Sequence, residues 1–233
     1  MLVLFDIDAT LLTTRGQGIR ALRRAGADVF GEPFEVEHVE SSGRLDPLIM
    51  LDMIEAARKR ATEARLEEFR AAYLRRLDET LVPGVAGALP GVPALLEALG
   101  RIDEMVVGLV TGNLPETGLL KLERAGIDAR QFEIRAWGCD SPHEPPARDH
   151  LPGVALERFL ARHRREADRS VTSIVGDTPH DVACAKAHGL RCLGVSTGLF
   201  DGCSLEEAGA DLVLDDLTQT DEIVQWLTKP LRR

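Results

Sequence analysis

Short apolar runs alternate with amphipathic segments through the second half of the chain, and this alternation restricts the fold more than any other feature. Strands are predicted over residues 105–110, 132–137, 171–175, 192–195 and 211–214, and helices over 93–100, 115–125, 151–163, 181–188 and 222–227. Strands that alternate with helices form a parallel sheet covered on both faces. The apolar run Met1 to Phe5 predicts one more buried strand. We therefore predict an α/β fold with a doubly wound parallel sheet.

The residues between this first strand and the alternating region predict helices almost throughout. The clearest amphipathic stripe consists of Leu66, Phe69, Tyr73 and Leu77. Another helix is predicted to begin at Asp46–Pro47, as cap and first turn, and the one candidate strand lies over 34–39. Because this block separates the first strand from the rest of its sheet, we predict a helical domain over 13–83, inserted into a core of 1–12 and 84–233.

The composition limits the classes of partner. The 38 acidic and 28 basic residues give a net charge of −10, which argues against nucleic acid or a membrane surface as the main partner. The apolar run at the start is too short for a signal peptide, and no run approaches the roughly 18 residues of a membrane span. The four cysteines lack Cys-x-x-Cys spacing, so we expect reduced thiols in a cytoplasmic protein. Monomer and homodimer are both open.

Two carboxylates, Asp6 and Asp8, follow the first strand directly. An unpaired buried carboxylate is costly, but ligands and metals bind at the carboxyl ends of parallel strands. Asp-x-Asp at such a place can offer a carboxylate oxygen and a backbone carbonyl to Mg²⁺, and it leaves the second carboxylate for proton transfer. On this stretch alone, an ordinary acidic turn explains the residues equally well.

Two further strands are also followed by polar residues. Thr111-Gly-Asn113 can bind a phosphoryl oxygen through a hydroxyl and backbone N–H groups, with Gly112 allowing close approach, although this tripeptide is also a common turn. Asp177 and Asp181 follow the strand over 171–175 and could simply cap the next helix. Together with the first aspartate pair, however, they would repel one another unless a cation lies among them.

Arg148 lies in a proline-rich loop over 142–152. An arginine in this place is suited to bidentate binding of a phosphate. A solvated loop charge is the alternative. Arg44, in the loop that precedes the helix at Asp46–Pro47, is likewise either a substrate contact or a solvated charge.

Together these segments resemble the haloacid dehalogenase superfamily of phosphohydrolases over nearly the whole chain. The matching motifs are Asp6-Ile-Asp8-Ala-Thr10 for the first, Thr111 for the second and Gly176-Asp177-x-x-x-Asp181 for the fourth. Their order and separation are more specific than any one motif. The resemblance implies a Rossmann-like core with a helical cap, as in the phosphoglycolate phosphatase and β-phosphoglucomutase branch.

The sequence departs from the family pattern at two positions. Arg148 stands where the third motif usually has lysine, and Ala9 stands where the first motif commonly has glycine. The methyl group of Ala9 is expected to tighten the turn that carries Asp8 and to alter cap movement, without abolishing the chemistry.

The resemblance implies a Mg²⁺-dependent phosphatase of a small phosphorylated, phosphoglycolate-like metabolite. Asp6 would form an aspartyl-phosphate, and Asp8 would protonate the leaving alkoxide and then activate water. Asp6, the carbonyl of Asp8 and Asp177 would hold the metal. Thr10 would orient the loop by a local bond, and Asp181 would support the metal site from behind or as an occasional ligand. The groups implied to bind the phosphoryl oxygens are Thr111, Gly112, Asn113 and Arg148.

Three other functions are weighed against the phosphatase. A β-phosphoglucomutase-like phosphomutase shares the motifs and differs mainly in its cap contacts. A 2-haloacid dehalogenase uses the same attacking aspartate without Mg²⁺ or a nearby acid, so Asp8 and Asp177 disfavour it. A non-enzymatic phospho-accepting module is disfavoured by the intact pair Asp6 and Asp8 and by the helical block.

Overall fold

Six parallel strands form the central sheet of the computed structural model, which describes residues 1–34 and 36–230. The described strands, in chain order, are β1 (Leu2–Phe5), β2 (Leu12–Thr13), β3 (Gly87–Ala88), β4 (Val106–Val110), β5 (Ile134–Ala136), β6 (Thr172–Gly176), β7 (Arg191–Val195) and β8 (Leu212–Leu214). The sheet order is β5-β4-β1-β6-β7-β8, and every neighbouring pair is parallel. The predicted parallel sheet is confirmed, and β1 lies between β4 and β6.

Helices cover both faces of this sheet. The described helices are α1 (Gln17–Phe30), α2 (Asp46–Ala56), α3 (Glu63–Thr80), α4 (Val92–Leu99), α5 (Pro115–Arg124), α6 (Leu151–His163), α7 (Pro179–Ala187), α8 (Gly202–Glu207) and α9 (Thr220–Thr228). Val3 and Phe5 of β1 pack with α4, α5 and α9, whereas Leu2 and Leu4 pack with α6, α7 and α8. Successive residues of a strand point to opposite faces, so β1 contributes to two separate cores and is wholly buried.

The helical block lies between β1 and β4, as predicted. Helices α1, α2 and α3 share a third apolar core, in which the rings of Phe30 and Phe69 meet edge to face at 5.8 Å. Leu114, at the start of α5, joins the same core, so the block rests on the sheet domain through α5. The exact limits of a cap domain at 13 and 83 stay a prediction.

Three local features differ from the sequence prediction. The described residues of the candidate strand over 34–39 form turns and irregular backbone, and Glu35 lies outside the described residues. β2 and β3 pair antiparallel where the chain enters and leaves the helical block; two-residue strands carry no periodicity that a sequence could reveal. The six residues of α8 are likewise too few to show a helical period.

Two findings bear on the expectations from composition. Within the described ranges, none of the helices combines the length and the apolar character required to cross a membrane. All four cysteines are free thiols; Cys184 and Cys192 are buried in the core, and Cys139 and Cys203 are exposed.

Candidate functional site

The carboxyl ends of β1, β4 and β6 meet at one edge of the sheet because these three strands are neighbours. Asp6, Thr111 and Asp177 follow these ends, and all three side chains are buried. A cavity of about 380 Å³ opens between this edge and the helical block. The structure therefore brings together residues that are far apart in the sequence, as the placement of ligands in open parallel sheets predicts.

Three buried carboxylates lie close together at this edge. One oxygen each of Asp6, Asp177 and Asp181 lies within 4.8 Å of the others. Burial raises the pKa of Asp6 to about 6 and the pKa of Asp177 to about 8, because desolvation disfavours the charged form. A hard divalent cation would reverse this preference, since Mg²⁺ binds carboxylate oxygens. The donor set of Asp6 and Asp177 thus fits Mg²⁺.

Arg148 and Asp181 support the carboxylate of Asp6. Arg148 Nη2 lies 2.6 Å from Asp181 Oδ1 and 3.0 Å from Asp6 Oδ1. The contact with Asp6 is an ion pair without hydrogen-bond alignment, so Asp6 Oδ1 has no hydrogen-bond partner among the described residues. The other oxygen of Asp181 accepts hydrogen bonds from the N–H and the hydroxyl of Thr178, in the capping box of α7. Both oxygens of Asp181 are therefore engaged by protein donors, which favours a supporting role.

Asp8 is held by two groups of the core. Its Oδ2 accepts hydrogen bonds from Lys121 Nζ at 2.6 Å and from Asn113 Nδ2 at 2.8 Å. Lys121 Nζ also donates to Asn113 Oδ1 at 2.5 Å. Lys121 was not among the site residues predicted from the sequence. Its spacing from Leu114 and Gly118 places it on the buried face of α5, and a charged residue in a buried stripe is the signal that would have revealed it.

Thr10 and Ala9 shape the turn that carries Asp8. Thr10 was expected to bond locally, but its hydroxyl donates to Asp177 Oδ1 at 3.2 Å and so links the first motif to the fourth. Ala9 has a φ of +57°, a left-handed conformation that glycine adopts without steric cost. The Thr197 hydroxyl donates to the Ala9 carbonyl and ties this turn to the loop after β7.

Asp46 does not cap its own helix, contrary to the sequence prediction. Leu45 is the N-cap residue of α2 and makes no side-chain cap hydrogen bond. The Asp46 carboxylate instead accepts from the Leu114 N–H at 3.2 Å and from Thr117 Oγ1 at 3.5 Å, while its N–H donates to the Gly112 carbonyl at 2.7 Å. The backbone N–H groups at the start of α5 need an acceptor. The Asp46 carboxylate supplies one and thereby docks α2 onto the core.

Arg44 lines the cavity, but its guanidinium is engaged elsewhere. Arg44 Nη1 lies 2.5 Å from Asp52 Oδ2 and donates to the Glu40 carbonyl. A Cβ added at Gly112 would lie 2.0 Å from the Arg44 carbonyl oxygen. The backbone of Arg44 thus packs directly on the turn that was predicted to bind phosphate.

Gly198 leaves the space that the Asp177 carboxylate occupies. A Cβ at this position would lie 1.8 Å from Asp177 Oδ2, so Gly198→Ala must displace the carboxylate. We expect Mg²⁺ affinity, measured by isothermal titration calorimetry, to fall about 10–100-fold. Gly87→Ala is the matched control, since a Cβ there meets nothing within 4 Å. Unchanged Mg²⁺ affinity in a folded Gly198→Ala variant would exclude Asp177 as a ligand.

The fold and the site define one class of protein: a parallel α/β core with an aspartate pair after its central strand and a helical block above that pair. Residues 3–195 match the family described as haloacid dehalogenase-like hydrolase. The chain belongs to this family, which confirms the resemblance seen in the motifs and the fold that it implied.

Curated relatives agree with this membership, and a solved structure shows the same fold. The chain is 28% identical over 231 residues to a Dickeya dadantii (strain 3937) protein named "Probable phosphatase IndB", covering 94% of this chain and 90% of that protein. It is 28% identical over 229 residues to the phosphoglycolate phosphatase of Pseudomonas fluorescens (strain Pf0-1), covering 93% of this chain and 76% of that protein. The crystal structure of a hydrolase from Pseudomonas syringae, 20% identical, has the same fold, with a TM-score of 0.74 over 97% of this chain and 99% of that one.

Proposed function

We propose that this protein is a Mg²⁺-dependent phosphatase of a small phosphorylated, phosphoglycolate-like metabolite. The position of Asp6 carries the proposal. It follows the central strand, faces Arg148 at 3.0 Å and has Asp177 and Asp8 beside the same cavity. A carboxylate with a cation in front of it and a second carboxylate two residues on has the groups that covalent phosphoryl transfer requires. The names of the curated relatives support the same reaction class.

In the first half of the reaction, a carboxylate oxygen of Asp6 attacks phosphorus and the ester P–O bond breaks, which leaves an aspartyl-phosphate. Asp8 gives its proton to the departing alkoxide. In the second half, Asp8 takes a proton from water, the water oxygen attacks phosphorus, and inorganic phosphate leaves Asp6. When bound by Asp6, the Asp8 carbonyl and Asp177, Mg²⁺ would reduce the repulsion between the carboxylate and the phosphoryl group.

The phosphoryl oxygens would be bound where β4 ends. Thr111 and the backbone N–H groups of Gly112 and Asn113 supply donors at the start of a helix. Arg148 supplies a fixed positive charge, because Asp181 orients its guanidinium. The helical block over residues 13–83 would act as the cap, and a cavity of about 380 Å³ limits the substrate to a small metabolite.

The proposal is tested by steady-state phosphate release from 2-phosphoglycolate and a panel of phosphorylated metabolites, with Mg²⁺ and with EDTA. We expect one or a few small phosphates to be hydrolysed. EDTA should lower turnover at least about 100-fold, since a metal supplies several kcal/mol at the transition state. Phosphoryl transfer between sugar phosphates without net phosphate release, or halide release from a 2-haloacid, would contradict the proposal.

A further inference from the structure

Lys121 is a buried ammonium in the cavity that the mechanism above does not use. It is 3% exposed and lines the cavity with Asp46 and Tyr73 of the helical block. A Cβ at Gly18, on α1, would lie 3.6 Å from Lys121 Nζ. The ammonium therefore lies where the core meets all three helices of the block.

The other cations that line the cavity are committed to partners. Arg148 is paired with Asp6 and Asp181, and Arg44 is paired with Asp52. Among the residues that the structure describes, Lys121 is therefore the cavity-lining cation that lies beneath the helical block. An ammonium donates three hydrogen bonds; Asp8 and Asn113 take two of them, and the Tyr73 hydroxyl lies close enough to compete with a ligand for the third.

Pairing with Asp8 alone does not account for a lysine at this position. Burying an ammonium is costly, whereas the Asp8 side chain is 40% exposed and already receives a hydrogen bond from Asn113. The cavity also contains the carboxylates of Asp6, Asp46 and Asp177, which would repel a substrate with a second negative group. A local positive charge is the feature that admits such a substrate.

The distances indicate where that second group would lie. Asp8 must come within hydrogen-bond reach of the leaving oxygen, and Lys121 Nζ is 2.6 Å from Asp8 Oδ2. The ammonium then lies roughly 5–6 Å from the leaving oxygen. An anionic group one or two carbons beyond the ester oxygen spans this distance. The apolar residues Ile19, Leu22 and Ile49 line the cavity as well and limit the length of the leaving group.

We propose that Lys121 determines specificity by binding an anionic group, a carboxylate or a second phosphate, on the leaving part of the substrate. The inference rests on the proposed phosphatase function. It selects short phosphate monoesters with a second negative charge close to the ester, and it disfavours esters of neutral alcohols of the same size.

Three substrates of similar length test this role: 2-phosphoglycolate, ethane-1,2-diol bisphosphate and the neutral reference 2-hydroxyethyl phosphate. We expect wild-type kcat/KM to favour at least one anionic substrate over the reference by about 10–100-fold, the effect of a charged hydrogen bond. Preference for the carboxylate or for the bisphosphate identifies which anion is bound. Equal turnover of all three substrates would overturn the proposal.

The variant Lys121→Met separates substrate binding from support of Asp8. Because Lys121 also holds Asp8, kcat/KM should fall for every substrate, but the preference for the anionic substrate should shrink towards one, chiefly through KM. A role limited to positioning Asp8 would lower all rates by the same factor and leave the preference intact, which would overturn the proposal. Lys186→Met removes a lysine that pairs with Asp211 on the surface and is expected to change neither rate nor preference.

Misfolding of the variant and failure of the proposed phosphatase function can each be distinguished from failure of the role proposed for Lys121. If Lys121→Met does not fold, as judged by its thermal unfolding, Lys121→Gln replaces it and keeps a hydrogen bond to Asn113; the wild-type preference is measured in either case. Absence of phosphate release from all three substrates by the wild-type protein with Mg²⁺ would overturn the proposed phosphatase function itself. Phosphate release without preference would overturn only the role of Lys121.

Discussion

Asp6→Asn is expected to lower kcat/KM for phosphate release by at least about 10⁴-fold, as removal of a nucleophile does in other covalent enzymes. An amide cannot form the aspartyl-phosphate, and no other carboxylate of the site follows the central strand so directly. The variant should fold normally. Asn is nearly isosteric with Asp, and it removes a charge that burial disfavours, as the pKa of about 6 for Asp6 indicates. The measurement is phosphate release at saturating Mg²⁺, with thermal unfolding in parallel.

Asp103→Asn is the matched control for this substitution. Asp103 is exposed on the turn before β4, so the same change of charge there should alter neither activity nor unfolding temperature. Loss of activity in Asp6→Asn with an unchanged or raised unfolding temperature supports a covalent role for the carboxylate. Activity within tenfold of the wild type would mean that water attacks the substrate directly, and the aspartyl-phosphate mechanism would be wrong.

The sheet was predictable because its four inner strands, β4, β1, β6 and β7, are buried on both faces. Leu2–Phe5 and Val106–Val110 are continuous apolar runs, and a continuous run followed by a helix indicates a parallel strand. The positions of Asp6, Thr111 and Asp177 followed from the same logic, because the ends of neighbouring parallel strands meet at one edge. The pairing of β2 with β3 was not predictable, since it joins segments more than seventy residues apart through two residues each.

The residues that the sequence analysis missed or misassigned depend on how the helical block sits on the core. Asp46 precedes a proline and looks like a helix cap, but its partner Leu114 is 68 residues away in sequence. The spacing of Lys121 places it in the buried stripe of α5, but only the docking of the helical block shows which groups it faces there. Local periodicity reports which face of a helix is buried, but it does not report what that face is buried against.

Arg148→Met is expected to affect both stability and catalysis. Arg148 is buried and pairs with Asp181 at 2.6 Å and with Asp6 at 3.0 Å. Its loss leaves two buried carboxylates without their cation, which typically costs about 3–5 kcal/mol of unfolding free energy. Urea unfolding measures this loss. Arg162→Met is the control: that arginine is 69% exposed and pairs with Glu133, so its removal should cost less than about 1 kcal/mol.

Two further measurements, with added Mg²⁺ and with the variant Arg148→Lys, separate the loss of stability in Arg148→Met from its loss of activity. A cation bound at Asp6 and Asp177 stabilises the folded state by linkage, so Mg²⁺ should restore part of the unfolding free energy of Arg148→Met, without restoring turnover. Arg148→Lys keeps the charge but loses the planar guanidinium whose Nη2 lies near both carboxylates, so it should fold more stably than Arg148→Met and retain partial activity. An Arg148→Met protein as stable as the wild type would mean that this arginine does not stabilise the folded protein through Asp6 and Asp181. Arg148 would then serve the phosphoryl group alone.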